Sequence, residues 1–217
     1  MASLLRPDDL LMLYRRGEFL MADSRDDPRL FKLDPEQRGI LPLDQFHVPR
    51  KLARTIKQMP YRVTVDHAFL RVLVACAAPT PDRPNSWIND AIVNLYDGLF
   101  RNGHAHSVEC WEGTELVGGL YGVAIGAVFF GESMFSRKRD ASKIALVHLV
   151  ARLRVGGFQL LDTQFVTDHL QQFGAIEISR ARFKTALNLS IDQAADFFRL
   201  PRDCPADQIL QSITQTS

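Results

Sequence analysis

The rhythm of apolar and polar positions changes repeatedly along this chain of 217 residues, and each change marks an element. Tyr61-Arg62-Val63-Thr64-Val65 alternates as a strand does, with successive side chains leaving opposite faces. A helix from about Ala68 to Ala78 follows, ended by a loop punctuated at Pro79, Pro81 and Pro84. The next helix, Asn89 to Asn102, has Asn85 or Ser86 as its candidate cap and Gly103 as its stop. His104 to Trp111, Leu116 to Val123 and Ala127 to Met134 read as three strands turning at Glu112-Gly113 and at Gly126, and are expected to pair as an antiparallel meander. Asp140 then caps a helix over Ala141 to Val155, whose Ile144, Leu146, Val147, Leu149, Val150 and Leu153 form a broad apolar stripe suited to packing on the sheet. Leu160 to Phe165 reads as a buried strand, Thr167 opens a short helix closed by Gly174, Ala175 to Ile178 is extended and Arg180 to Leu189 is helical.

Upstream of Pro60 the pattern is looser. A short helix around Asp8 to Tyr14 and brief extended pieces near Phe19 and Phe31 sit among the turn residues Asp26-Asp27-Pro28 and Asp34-Pro35. The predicted class is therefore α/β (α+β), with a small, loop-rich N-terminal domain over residues 1–60 and a mixed α/β domain over residues 61–217. At 46% hydrophobic and 24% charged the chain can bury a normal core. No apolar run approaches the length of a membrane span, and Asp8-Asp9 interrupt the N-terminus where a signal peptide needs apolar residues, so a cytoplasmic location is the simplest expectation. Cys76, Cys110 and Cys204 are widely separated and lack CxxC spacing, which argues against a disulfide framework or a structural zinc site.

The net charge is only +1, but from His47 to Arg62 the chain carries Arg50, Lys51, Arg54, Lys57 and Arg62 and no acidic residue. Arg50, Arg54 and Lys57 fall at helical spacing, so one face is basic. Such a face either meets RNA phosphates or is simply solvated. A carboxylate in apolar company carries a different signal: Glu132, in Phe129-Phe130-Gly131-Glu132-Ser133-Met134-Phe135, is expected to be partly desolvated. It must find a cationic or hydrogen-bonding partner or take a raised pKa. Arg137 and Lys143 are the ordinary candidates for a salt bridge, and a positively charged substrate group is the functional one. Ser133, Ser136 and Ser142 suit turns and caps better than catalysis. Asp162 and Gln164, two apart on one strand, point to one face and can share a substrate or satisfy nearby backbone groups.

The stretch from Ala105 to Lys143, with its blocks His106-Ser107, Leu116 to Val123 and Gly131 to Ser136, resembles the leucyl/phenylalanyl-tRNA-protein transferases. The likeness continues through Tyr14-Arg15-Arg16-Gly17, Ser86-Trp87-Ile88, Leu161-Asp162-Thr163-Gln164, Asp168-His169-Leu170 and Gly174-Ala175, and so covers most of the chain. It implies an acetyltransferase-like fold, which the order of meander, helix, strand and helix also suits. It further implies an enzyme that transfers Leu, Phe or Met from aminoacyl-tRNA onto proteins whose N-terminal residue is Arg or Lys, marking them for degradation. By the same resemblance, Asp162 gives electrostatic support, Gln164 hydrogen-bonds the attacking amine and Glu132 holds the acceptor's cationic residue. Leu120, Phe129 and Leu153 line the donor side-chain pocket, and Trp87 stacks on the terminal adenosine. The basic set Arg50, Lys51, Arg54, Lys57 and Arg62 becomes a tRNA contact.

Two departures stand out. Met21 occupies a position where the family often has tryptophan, so adenosine contact would rest on Trp87 and Met21 together, and Leu153 replaces a frequent aromatic. No cofactor is expected, and no metal. His104 and His106 with Cys110 further along the same strand make a weakly specific ligand set, and ester transfer needs no metal. Two rival readings remain. A coenzyme A-dependent N-acetyltransferase would suit the order of elements, but Met134 to Asp140 lacks the glycines of a pyrophosphate loop. A non-catalytic tRNA-binding module would explain the basic segment but not Glu132, Asp162 and Gln164. No GxSxG occurs, which argues against an α/β-hydrolase.

Overall fold

The computed structural model describes residues 5–80 and 84–214, so Pro81 of the expected loop and the first four residues lie outside the described residues. Helix α1 (Pro7–Arg15) leads into β1 (Phe19–Met21) and β2 (Phe31–Leu33), which pair antiparallel as a separate ribbon. Then come β3 (Gln37–Ile40), α2 (Arg50–Lys57), β4 (Arg62–Val65), α3 (Phe69–Ala77) and α4 (Asp90–Arg101). The meander β5 (Ala105–Glu112), β6 (Glu115–Ile125) and β7 (Val128–Ser136) follows, then α5 (Ala141–Gly156), β8 (Leu160–Gln164), α6 (Asp168–Gln171), β9 (Ile176–Ser179), α7 (Arg180–Ser190) and α8 (Ala206–Thr214).

The meander pairs antiparallel as its pattern predicts. α5 carries the chain back across the sheet, so that β8 joins β7 in parallel, the usual consequence of a helical crossover. The sheet has seven strands in the order β4-β5-β6-β7-β8-β3-β9. β3 is the element that periodicity does not reveal: Gln37-Arg38-Gly39-Ile40 is short and mostly polar or small, and it becomes a strand by inserting between β8 and β9. The sheet therefore draws strands from both sides of residue 60.

Alternating side chains feed two cores. Leu120 and Phe129 face the cluster built on α5, α8 and α2, whereas Tyr121 and Phe130 face the cluster built on α1, α3 and α4. α8 has a legible signal of its own, since Ala206, Ile209, Leu210 and Ile213 recur at helical spacing and are all buried.

Two expected caps differ. α4 is capped by Asn89, whose side chain accepts the N–H of Ile92, and Ser86 instead accepts the N–H of Ile88 in the preceding turn. Asp140 stands at the N-cap of α5 but in a left-handed conformation (φ 61°) that turns its carboxylate away from the helix amides. Ser136 Oγ accepts the N–H of Ser142 in its place, while Asp140 meets Lys143 and Arg139. Among the described residues no helix is long and apolar enough to cross a membrane.

The β6–β7 turn depends on Gly126, whose φ is +55° and whose missing Cβ would lie 2.0 Å from the Ile191 carbonyl oxygen. Gly126→Ala combines an unfavourable φ with a backbone clash and is expected to destabilise the protein by about 2 kcal/mol or more, measured by urea unfolding.

Candidate active site

Glu132 is placed by an irregularity in β7. On β6, Tyr121 and Gly122 are adjacent, but their partners on β7 are Ser133 and Gly131, so Glu132 is the unpaired residue of a bulge. A bulge re-aims the side chain it carries. Here it swings the carboxylate to two tyrosines: Tyr14 donates to Oε1 at 2.6 Å and Tyr96 donates to Oε2 at 2.7 Å. The two hydroxyls are 2.5 Å from each other. Three oxygen contacts with only two hydroxyl hydrogens leave one contact without a proton unless the carboxyl holds one. Burial points the same way. It pushes the pKa of Glu132 up to about 7, against the lowering effect of the two tyrosine hydrogen bonds, and Asp162 nearby adds a smaller upward push. The tyrosines are themselves pushed well above the usual phenol value, chiefly by burial and then by the Glu132 charge.

The sequence left Arg137 and Lys143 as salt-bridge partners for Glu132, and the structure uses both elsewhere. Arg137 donates to the Leu116 carbonyl and lies over Phe135, and Lys143 pairs with Asp140.

Asp162 and Gln164 meet as their spacing predicts, though by a tighter route than an ordinary strand gives. Gly39 and Ile40 of β3 pair with Gln164 and Asp162, leaving Thr163 as the extra residue of a second bulge. Gln164 is held at φ +55°, which for a side-chain-bearing residue costs about 1 kcal/mol, and Phe165 N–H closes a three-residue turn onto the Thr163 carbonyl at 2.6 Å. The N–H of Gln164 donates to Asp162 Oδ1 at 3.0 Å. Its side-chain Nε2 stands 3.4 Å from Glu132 Oε1 and 3.5 Å from Asp162 Oδ2. With the amide nitrogen facing two carboxylates, the amide oxygen is free to accept a hydrogen from something else. Asp162 is fully buried, in a two-pronged ion pair with Arg38 at 2.8 and 2.7 Å.

Beside this cluster opens a cavity of about 1000 Å³. Glu132 and Gln164 reach it, Trp87 and Met21 line it with Phe19, and its apolar wall includes Leu120, Met134, Leu146, Leu149, Leu161 and Leu170. Two expected wall residues are absent. Phe129 lies fully buried behind the wall, stacked on Phe197 at 5.7 Å. Leu153 is fully buried further along α5 than Leu146 and Leu149, which supply the helix's share of the wall. Asp162 does not line the cavity either, but it touches Gln164 and its charge acts on Glu132, both of which do.

Arg50, Lys51, Arg54 and Lys57 are exposed on α2, with Leu52 and Ile56 turned inward. Among the described residues none of the four forms a salt bridge, and Arg62 lies over the Trp111 ring. His106 is occupied by Asp66 at 2.8 Å and by the Phe197 ring, and among the described residues no group of three or more His, Cys, Asp or Glu side chains has the arrangement of a metal site.

The family model for leucyl/phenylalanyl-tRNA protein transferases matches residues 40–188, more than half of the chain. The chain belongs to the leucyl/phenylalanyl-tRNA-protein transferase family. The transferase of Hyphomonas neptunium is 62% identical over 197 residues, 91% of this chain and 76% of that one. Those of Maricaulis maris and Caulobacter vibrioides are each 56% identical over 210 residues, 97% of both chains. Among solved structures, L-PGS from Bacillus licheniformis aligns at a TM-score of 0.38 and 14% identity, over 94% of this chain and 69% of that chain, which is too slight a likeness to carry an argument.

The family resemblance seen in the motifs thus stands, as does membership of the aminoacyltransferases, and the mixed sheet flanked by helices agrees with the predicted class. The motifs include Tyr14 without giving it a role, and they do not flag Tyr96 or Arg38, which complete the support around the site. Tyr14, Tyr96 and Arg38 come from α1, α4 and β3, distant in sequence from the carboxylates they touch. Tyr96 shows only a polar tip in an apolar helix pattern and Arg38 only a charge in a polar stretch, signals that are weak without the fold.

The raised pKa of Glu132 has a sign in stability. The folded protein binds this proton more tightly than the unfolded chain, so the stabilisation is complete below about 4.5 and is lost as pH rises through about 7. Glu132→Gln in this family member is uncharged throughout. It is expected to exceed the wild type by roughly 2 kcal/mol at pH 8, with the gap closing towards pH 4.5, as read by urea unfolding at several pH values.

Proposed function

We propose that this chain transfers Leu, Phe or Met from aminoacyl-tRNA to the α-amino group of proteins beginning with Arg or Lys, tagging them for degradation. One observation carries the reading: Gln164 lines a largely apolar cavity beside a carboxyl group that has hydrogen-bond donors but, among the described residues, no salt-bridge partner. An unbranched or γ-branched side chain fits the flexible wall of leucines and methionine, and the terminal adenosine is assigned to Trp87 and Met21. Glu132 is assigned to the acceptor's guanidinium or ammonium group, which supplies the missing cation and draws the carboxyl into its charged form.

The donor ester is already activated, so the protein's task is placement and charge stabilisation. The acceptor nitrogen attacks the ester carbonyl, the new C–N bond forms, the bond to the ribose oxygen breaks, and that oxygen takes up a proton as the nitrogen loses one. A free α-amine has a pKa of roughly 7.7–8.0, so a weak acceptor suffices. Gln164 is assigned that contact, its amide oxygen receiving an N–H of the amine while Nε2 faces Glu132 and Asp162. α2 is assigned the tRNA phosphates, through Arg50, Lys51, Arg54 and Lys57, with Arg62 beyond its end. Against coenzyme A, the start of α5 is occupied by Ser136 Oγ and flanked by the Asp140 carboxylate, a poor place for pyrophosphate.

Charged Leu-tRNA and an Arg-initiated peptide should yield a Leu-peptide bond, read by mass spectrometry; binding without product, or acetyl transfer from acetyl coenzyme A, would defeat the proposal. Gln164→Ala is expected to lower kcat by about 10²-fold with tRNA affinity retained. Arg50→Ala should weaken tRNA binding and reduce the slope of log affinity against log salt by about 1, as filter binding would show. The acceptor KM should fall as pH rises through about 7, where Glu132 ionises, and an acceptor beginning with a neutral residue should lack that step.

A further inference from the structure

Arg38 and Gly39 belong to a strand that carries no group reaching the cavity, yet they touch every part of the device that aims Gln164. The Arg38 side chain is 1% exposed. It donates from Nε to Asp162 Oδ1 at 2.8 Å, from Nη2 to Oδ2 at 2.7 Å and from Nη1 to the Gly17 carbonyl at 3.1 Å. Its guanidinium carbon is 4.6 Å from the centre of the Phe19 ring and 4.5 Å from that of Phe183. A fork held on two oxygens fixes the plane of the carboxylate, which a single ammonium cannot do. That plane in turn places Gln164, because Oδ1 takes its backbone N–H and Oδ2 stands 3.5 Å from its Nε2.

Gly39 acts from the other side. A Cβ there would lie 2.7 Å from the Phe165 carbonyl carbon, 2.9 Å from the Val166 nitrogen and 2.9 Å from Thr163 Oγ1. Those atoms flank Gln164 in the chain, so any side chain at 39 would press on the turn that holds Gln164 in its left-handed conformation. A buried ion pair is a weak source of stability, since apolar residues of similar size often serve as well. Its value here is geometric.

We infer that Arg38 and Gly39 are the positioning residues of the transfer reaction, the first orienting Gln164 through the Asp162 carboxylate and the second leaving room for the Gln164 turn. The inference rests on the proposed reaction of Gln164 with the acceptor amine. Arg38→Lys keeps the charge and loses the fork. In single-turnover transfer from Leu-tRNA to an Arg-initiated peptide it should be slowed tenfold or more, with the KM of both substrates within twofold of wild type. Placed on Gln164→Ala, the same substitution should change the remaining rate less than twofold, because the group it orients is gone. An undiminished rate in Arg38→Lys overturns the inference, and so does an equal tenfold loss in the Gln164→Ala background, which would mark Arg38 as a residue of the fold alone.

Should Arg38→Lys lack a cooperative melt, Gly39→Ala is read in the same cycle, since it leaves the ion pair intact. A measurement on the unaltered protein stands beside both. The Gln164 side-chain amide, labelled with nitrogen-15 and assigned with Gln164→Glu, should relax as a rigid group, and an order parameter below about 0.6 would overturn the inference. Wild-type protein assayed in parallel separates the two failures. If it makes no Leu-peptide, the functional reading falls; if it does while Arg38→Lys keeps the full rate, only the role of β3 falls.

Discussion

Removing the Arg38 guanidinium and the Asp162 and Glu132 carboxyls from water is the constraint to which the rest of this structure answers. Uncompensated, each would cost several kcal/mol, so every one must be satisfied by a partner in fixed geometry or lose its charge. The chain uses both remedies. Asp162 receives a cation of its own, whereas Glu132 receives two phenols and a pKa of about 7. The two acids thus differ in what holds them, since Asp162 is neutralised by a guanidinium whereas Glu132 meets two hydroxyls and, at 3.4 Å, the side-chain amide of Gln164.

Meeting that constraint requires strands that break their own rules. A regular β7 would send Glu132 along the same alternation as Phe130, and a regular β8 would pair Thr163 with β3; instead each strand carries one extra residue beside the cavity. Two bulges on adjacent parallel strands bring Glu132 and Gln164 to 3.4 Å while leaving the strands on either side free to fill their cores. The cavity then has both Glu132 and Gln164 in a lining that is largely leucine, methionine and aromatic, the mixture of apolar wall and few directed polar groups that suits a small-molecule pocket.

How much of this could be read from the residues depends on the range over which each signal acts. The meander and α5 were legible because their periodicity is local and long, and the cluster of Glu132, Asp162 and Gln164 because their motifs are dense. β3 was not, since four residues with one large apolar side chain become a strand only through partners more than 120 positions away. For the same reason Phe129 and Leu153 were expected in the pocket wall: a motif fixes a residue's neighbours in the chain, while the bulge at Glu132 and the course of α5 decide which side chains meet the cavity. The Asn89 cap illustrates the opposite limit, where a shift of three or four residues separates two equally good capping types and only the hydrogen bond to Ile92 decides between them.

The first forty residues have a consequence out of proportion to their regular structure. They supply Tyr14 to the Glu132 carboxyl, Phe19 and Met21 to the cavity and Arg38 to Asp162, whereas the bulged strands supply the groups being held. Site and support thus come from segments far apart in the chain, and β3, hydrogen-bonded between β8 and β9, is the seam that joins them. Because the strand that β3 pairs with is also the one carrying Asp162 and Gln164, the same pairing that extends the sheet brings the Arg38 guanidinium to its carboxylate. A chain arranged in this way cannot hold its buried carboxylate in place before the cation that justifies its burial has arrived.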